Sequence, residues 1–292
     1  MGDIFTKIKL LFSQGNFLTK LIFINVGIFL LLNLVLVFQT LFQIDESHFL
    51  EYLEMPSSIN LFLYRPWTII TYMFLHADIL HLAFNMLWLY WFGKLFLLFF
   101  NNRQLIGVYF SGGIAGALLF LLAYNIFPYY RNIIGPSFLM GASASVMAVV
   151  FAISFYQKNY EMNLLFLGRI KLVYLALATL LIDLLSIVSS NAGGHVAHLG
   201  GALFGILFAA QYQKGKDLTL FINHIFDWIV NLRKPKTKMK VTYKRSETDM
   251  EYNTRKQNEM RDLDAILDKL KRSGYDSLSA EEKRILFEAS KK

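Results

Sequence analysis

Six apolar stretches, at about 19–42, 78–100, 104–126, 141–157, 170–190 and 194–213, dominate most of this chain. Each crosses, or nearly crosses, a hydrocarbon layer of about 30 Å when wound as a helix. Backbone in that layer must satisfy its own hydrogen bonds, which leaves helices or a closed barrel as the spanning structures. The expected fold is therefore an all-α polytopic membrane protein, a six-transmembrane-helix bundle followed by a small helical tail. Composition agrees: 55% of the residues are hydrophobic and 27 are Phe, an excess that a soluble domain does not carry. The fourth stretch is short for a span, so it is expected to begin below the surface, beside a cavity.

Charge gives the orientation. Lysines and arginines cluster at Lys7, Lys9 and Lys20, at Lys94 and Arg103, at Lys158, Arg169 and Lys171, and after Lys214. The alternate connections hold only Arg65 and Arg131. By the positive-inside rule both termini are expected in the cytoplasm. The first apolar run exceeds a signal-peptide core and lacks a small-residue cleavage site, so an uncleaved span is expected. With no cysteines, disulfides, thiol nucleophiles and Cys-based metal sites are excluded. The connection 43–77 carries Asp45, Glu46, Glu51, Glu54 and Trp67, and is expected to pack at the outer interface.

The division expected is a cytoplasmic segment 1–15, a membrane domain 16–213, an interfacial helix and basic linker 214–245, and a helical hairpin 246–292. From Lys214 to Lys292, 19 Lys/Arg stand against 13 Asp/Glu, a balance of +6 within the net charge of +8. That suits a membrane-proximal tail, docking anionic lipid or a cytoplasmic partner, better than it suits nucleic acid. Residues 217–232 read as an interfacial helix with an aromatic face. Met260, Leu263, Ile266, Leu267 and Leu270 recur at helical spacing, Ser273-Gly274 ends that helix, and Ser279 with Glu282 forms a capping box for another.

Polar residues inside the apolar stretches carry the chemistry. Four of the six histidines, His76, His81, His195 and His198, lie in or at the ends of expected spans, where polar groups are costly. His81 and Asn85 are four apart and share a helix face, where both can donate hydrogen bonds to a developing oxyanion or to another helix. His76 points elsewhere and is expected to cap the helix or hold the 43–77 connection. His198, Gly201 and Gly205 share another face, and the glycines let a partner helix come close. Residues 139–148, Leu-Met-Gly-Ala-Ser-Ala-Ser-Val-Met-Ala, supply a matching small-residue surface. Packed together, they bring the His198 imidazole to the Ser143 hydroxyl, and a serine becomes a nucleophile only when a base takes its proton. No acid is expected to orient that imidazole, so the reading is a Ser-His dyad, with Asp183 as a structural, hydrogen-bonded residue.

Other classes fit less well. His-Glu-x-x-His is absent, which argues against a zinc metalloprotease. An intramembrane aspartyl protease needs two carboxylates, and Asp183 is the only acid well inside a span. A histidine-box di-iron site would want more histidines. A transporter would show broken helix pairs or an inverted hydropathy repeat.

Four elements in order resemble the rhomboid intramembrane serine proteases: Arg65-Pro-Trp-Thr, His76-x4-His81-x3-Asn85, Gly141-x-Ser143 and Ala197-His198-x2-Gly201-x3-Gly205. The resemblance covers residues 16–213. It implies that Ser143 is the nucleophile and His198 the general base, with His81, Asn85 and the Ser143 backbone N–H as the oxyanion hole. Transmembrane protein substrates in the bilayer are implied, with no metal or cofactor, in what is expected to be a bacterial cytoplasmic membrane. The alternative it leaves is an inactive rhomboid-like factor that binds membrane clients. Two departures stand out. Ala144 replaces a usual Gly and is expected to narrow the oxyanion hole slightly. Met147 replaces an aromatic ring that often stacks on the histidine, so His198 needs other support.

Overall fold

The structure, a computed structural model, describes residue 6 and residues 15–44, 49–135, 137–164, 168–232 and 248–290. Lys7, Lys9, Asp45, Glu46, His48 and the basic linker after Leu232 lie outside them. The chain divides into two compact units, Met1–Lys234 and Pro235–Lys292.

Each of the six apolar stretches holds a helix. α1 is Phe17–Leu41, opened by the Asn16 side chain on Thr19 N. Between α1 and the next long helix come two short ones, α2 (Ile59–Tyr64) and α3 (Thr68–Thr71). There follow α4 (Ile79–Phe96), α5 (Asn102–Ile126), α6 (Ser143–Tyr156), α7 (Leu172–Leu185) and α8 (Ala192–Tyr212). Among the described residues α1, α5 and α8 alone are long and apolar enough to cross a membrane as single helices; residues 68–74 with α4, bent by 95°, make a fourth candidate. At 1.5 Å per residue, 14-residue α6 and α7 reach only about 21 Å.

The centre of the unit is α6, packed chiefly against α8, α5 and α4. Small residues make this possible. A Cβ on Gly201 or Gly205 of α8 would overlap the carbonyls of Ala144 or Ala148 on α6. A Cβ on Gly116 of α5 would lie 2.6 Å from Ala144 Cβ, and one on Gly200 of α8 2.6 Å from Ala115 O. Three helices thus meet at backbone distance, where van der Waals contact replaces the hydrophobic drive that lipid removes.

Two small antiparallel ribbons depart from the all-α expectation. β1 (Met55–Pro56) pairs with β2 (Phe138–Leu139), and β3 (Glu161–Leu164) pairs with β4 (Gly168–Lys171). The first matters for function, because it ties the 43–77 connection to the segment leading into α6. That connection is packed, as its sequence suggested. Arg65 lies 3.9 Å over the Tyr52 ring and donates to Glu51 O, while Trp67 Nε1 donates to Tyr52 O at 2.8 Å. Burial, and secondarily Glu51, raises the Glu54 carboxyl above its usual range.

After α8, α9 (Leu220–Leu232) docks on α5 through Phe226 against Phe110 and a two-pronged Arg103–Asp227 pair. Its outer face leaves Phe221 and Trp228 exposed. The second unit is a hairpin of α10 (Asp249–Ser273) and α11 (Ala280–Ala289). Gly274, at φ +75°, ends α10, and Ser279 with Glu282 opens α11 as its sequence indicated. α10 begins earlier than its apolar spacing suggested, because Thr248 and Glu251 form a further capping box.

Candidate active site

A cavity of about 680 Å³ opens between α4, α6, α7 and α8, and Ser143, His198, His81 and Asn85 all line it. Its apolar wall comes from Phe84, Trp88, Phe138, Val146, Met147 and Ile182.

Ser143 is the first residue of α6. The turn before it needs Gly141, whose φ of +130° disfavours any side chain. Gly141 N donates to Tyr72 O at 2.9 Å, and the Tyr72 hydroxyl is anchored on Gly113 O at 2.6 Å. A Cβ on Gly141 would stand 3.0 Å from His81 Cε1 and Nε2 and 3.5 Å from Ser143 Oγ. The imidazole edge and the hydroxyl therefore border one point. Val146 N is the first donor taken into the helix ladder, by Ala142 O at 2.9 Å. The N–H groups of Ser143, Ala144 and Ser145 precede it, with the positive end of the helix behind them.

On α4, Asp78 caps the helix by accepting from His81 N at 2.8 Å. Of the two roles expected for His76, capping the helix falls instead to Asp78. Capping needs a short side chain at the first position, and Asp78 has it, while His76 is buried edge-on against the His81 ring, centroids 5.2 Å apart. Ala77 N donates to His81 Nδ1 at 3.4 Å, an arrangement in which a neutral imidazole carries its proton on Nε2. Asn85 is buried and gives one amide N–H to His81 O at 2.9 Å, keeping its second for a ligand.

The expectation that no acid orients His198 is also corrected. Asp183 Oδ1 lies 2.8 Å from His198 Nδ1 and 2.8 Å from His195 Nδ1. Asp183 is 4% exposed, and it sits in the last turn of α7, where the helix dipole disfavours a carboxylate. Two charge-assisted hydrogen bonds, worth about 1.5–3 kcal/mol each, offset that cost. The sequence did carry a signal, since Asp183 was the only acid well inside a span. What it lacked was the pairing of two helices. With Nδ1 turned to Asp183, Nε2 of His198 is the nitrogen left for chemistry. The Ser143 hydroxyl makes no hydrogen bond to it among the described residues; such contacts are often long before substrate binds.

The two departures sort out differently. Ala144 is 1% exposed, with its methyl group against Gly116 and outside the lining of the cavity. Met147 does line the cavity, and Asp183 supplies the support for His198 that an aromatic ring would give.

Comparison with known proteins gives the family of the chain. The Rhomboid domain matches residues 64–214, more than half of the chain, which therefore belongs to the rhomboid family. It is an integral membrane protein. Residues 246–292 match a family of unknown function, DUF6576. The chain is similar to the RHOMBOID-like protein 12, mitochondrial, of Arabidopsis thaliana, 28% identical over 165 residues, covering 52% of this chain and 48% of that protein. It is similar as well to the Presenilin-associated rhomboid-like protein A, mitochondrial, of Danio rerio, 30% identical over 138 residues, 46% of this chain and 34% of that one. The chain thus spans about half or less of these relatives.

Proposed function

We propose that this protein is an intramembrane serine protease that hydrolyses peptide bonds in or beside transmembrane segments of other proteins. The observation that carries the reading is the shared cavity. Ser143, at the N-terminal end of α6, faces it together with His198, whose Nδ1 is engaged by Asp183. In the reaction His198 Nε2 takes the Ser143 proton as Oγ attacks the scissile carbonyl. His81 Nε2–H, the free Asn85 amide N–H and the Ser143 backbone N–H stabilise the oxyanion. His198 then protonates the leaving amine, and water releases the acyl group from Ser143. Asp183 holds the tautomer and steadies the imidazolium.

The proposed topology has six spans, with both termini cytoplasmic, following the distribution of lysine and arginine. A bacterial cytoplasmic membrane is the proposed location, although both named relatives are mitochondrial. The tail is proposed to meet anionic lipid or a cytoplasmic partner. The second reading, a factor that binds membrane clients without cleaving them, draws on the unbonded Ser143 hydroxyl. Reconstituted cleavage of a labelled transmembrane reporter separates the two: the proposal expects product from the wild type and none from Ser143→Ala. Equal cutting by both removes Ser143 as nucleophile.

A further inference from the structure

Asp183 receives two imidazoles where hydrolysis needs one. His195 and His198 lie one turn apart on α8, and both Nδ1 atoms are 2.8 Å from the same carboxylate oxygen. The three donor atoms all lie within 4.8 Å of one another. Asp183 is buried, and both histidine side chains keep about a fifth of their surface, 21% and 19%. Asp183 and His198 border the cavity, which provides a way in. No step of proteolysis uses His195, and its side chain has no other hydrogen bond among the described residues.

We propose that Asp183, His195 and His198 form an inhibitory site for a divalent transition-metal ion of the zinc type. Two imidazoles and one carboxylate with an open fourth position suit zinc, whereas calcium and magnesium want oxygen ligands. Bonds of about 2.0–2.2 Å hold tetrahedral ligands about 3.4 Å apart. The imidazoles would draw back from the carboxylate by about 0.6 Å and close on each other from within 4.8 Å, a rearrangement beside the cavity.

The consequence follows from the tautomer. Each Nδ1 now carries the proton shared with Asp183. To bind metal it must offer a lone pair, so the proton passes through water to Nε2, with no net proton gained or lost. His198 with a protonated Nε2 has no site left to accept the Ser143 proton. Zinc would switch off the base without touching the nucleophile. The inhibitory effect rests on the protease reading; the binding does not.

The test uses full-length protein in detergent with any polyhistidine tag removed. Zinc binding is read by calorimetry, with magnesium as the control, on wild type, Ser143→Ala, His195→Gln and His195→Ala. Wild type and Ser143→Ala are expected to bind one zinc with equal affinity. Either His195 variant is expected to bind at least ten-fold more weakly, and using two guards against one failing to fold. Zinc should abolish wild-type cleavage of the reporter over the concentrations at which it binds. Absence of stoichiometric binding, or equal affinity in the folded His195 variants, overturns the site. Cleavage that survives saturating zinc overturns its inhibitory role. Zinc binding by a wild type that never cleaves keeps the site and rejects the protease.

Discussion

Helices α6 and α7 are both 14 residues long and both apolar, yet eleven residues of α6 are buried against three of α7. Hydropathy does not separate them; size does. Ala144, Ala148 and Ala152 of α6 meet glycines on α5 and α8, so backbone replaces lipid around it. α7 turns Tyr174, Leu181 and Leu185 outward, as a helix bordering a bilayer can. The close-packed pair α6 and α8 carries Ser143 and His198, and the loosely packed α7 carries the carboxylate that steadies His198. Asp183 is therefore both a tether for α7 and a support for the His198 imidazole.

The sharpest way to break this contrast is to place bulk in the junction. Gly201→Val would drive a side chain into the Ala144 carbonyl, with nowhere to relax, and should cost about 3 kcal/mol or more. Thermal unfolding in detergent should show it as loss of the folded protein. The matching change on the flank, Leu181→Ala, where the side chain is 56% exposed, should stay within about 0.5 kcal/mol. Equal effects would abolish the distinction.

Next come the site residues. Asp183→Asn leaves a similar shape but unsettles the His198 tautomer. Its kcat should fall by about 10²- to 10⁴-fold, with KM nearly unchanged, in steady-state cleavage. Removing a donor on the opposite wall, by His81→Phe, should cost about 10²-fold in kcat.

The smallest effect lies in the second unit. The Lys269 ammonium, followed by the Ser279 N–H, lowers the Glu282 carboxyl below its usual range. A lowered folded-state value means stability present above the unfolded value, near 4.5, and lost as pH falls through the folded one. Protection factors in α11, corrected for the intrinsic pH dependence of amide exchange, should fall on acidification below that point, and Glu282→Gln should remove that fall.

These elements also divide what sequence reveals from what it hides. The helix positions were legible because apolar runs announce themselves. The meeting of α6 with α8 was legible too, because His198, Gly201 and Gly205 share a face with spacing that a flat partner fits. The pairing of β1 with β2 was not, since two-residue strands have no periodicity to read. Nor was the contact between Asp183 and two histidines, which depends on how α7 leans on α8. The place of Ala144 was hidden for a similar reason: its neighbour in sequence lines the cavity, but its own methyl group turns into the helix junction.

The most direct test is covalent labelling by a fluorophosphonate probe, followed by mass spectrometry to find the modified residue. One adduct is expected, on Ser143, and it disappears in Ser143→Ala and His198→Ala. An adduct elsewhere, or labelling of Ser143 that persists in folded His198→Ala, would contradict the proposed roles of Ser143 and His198.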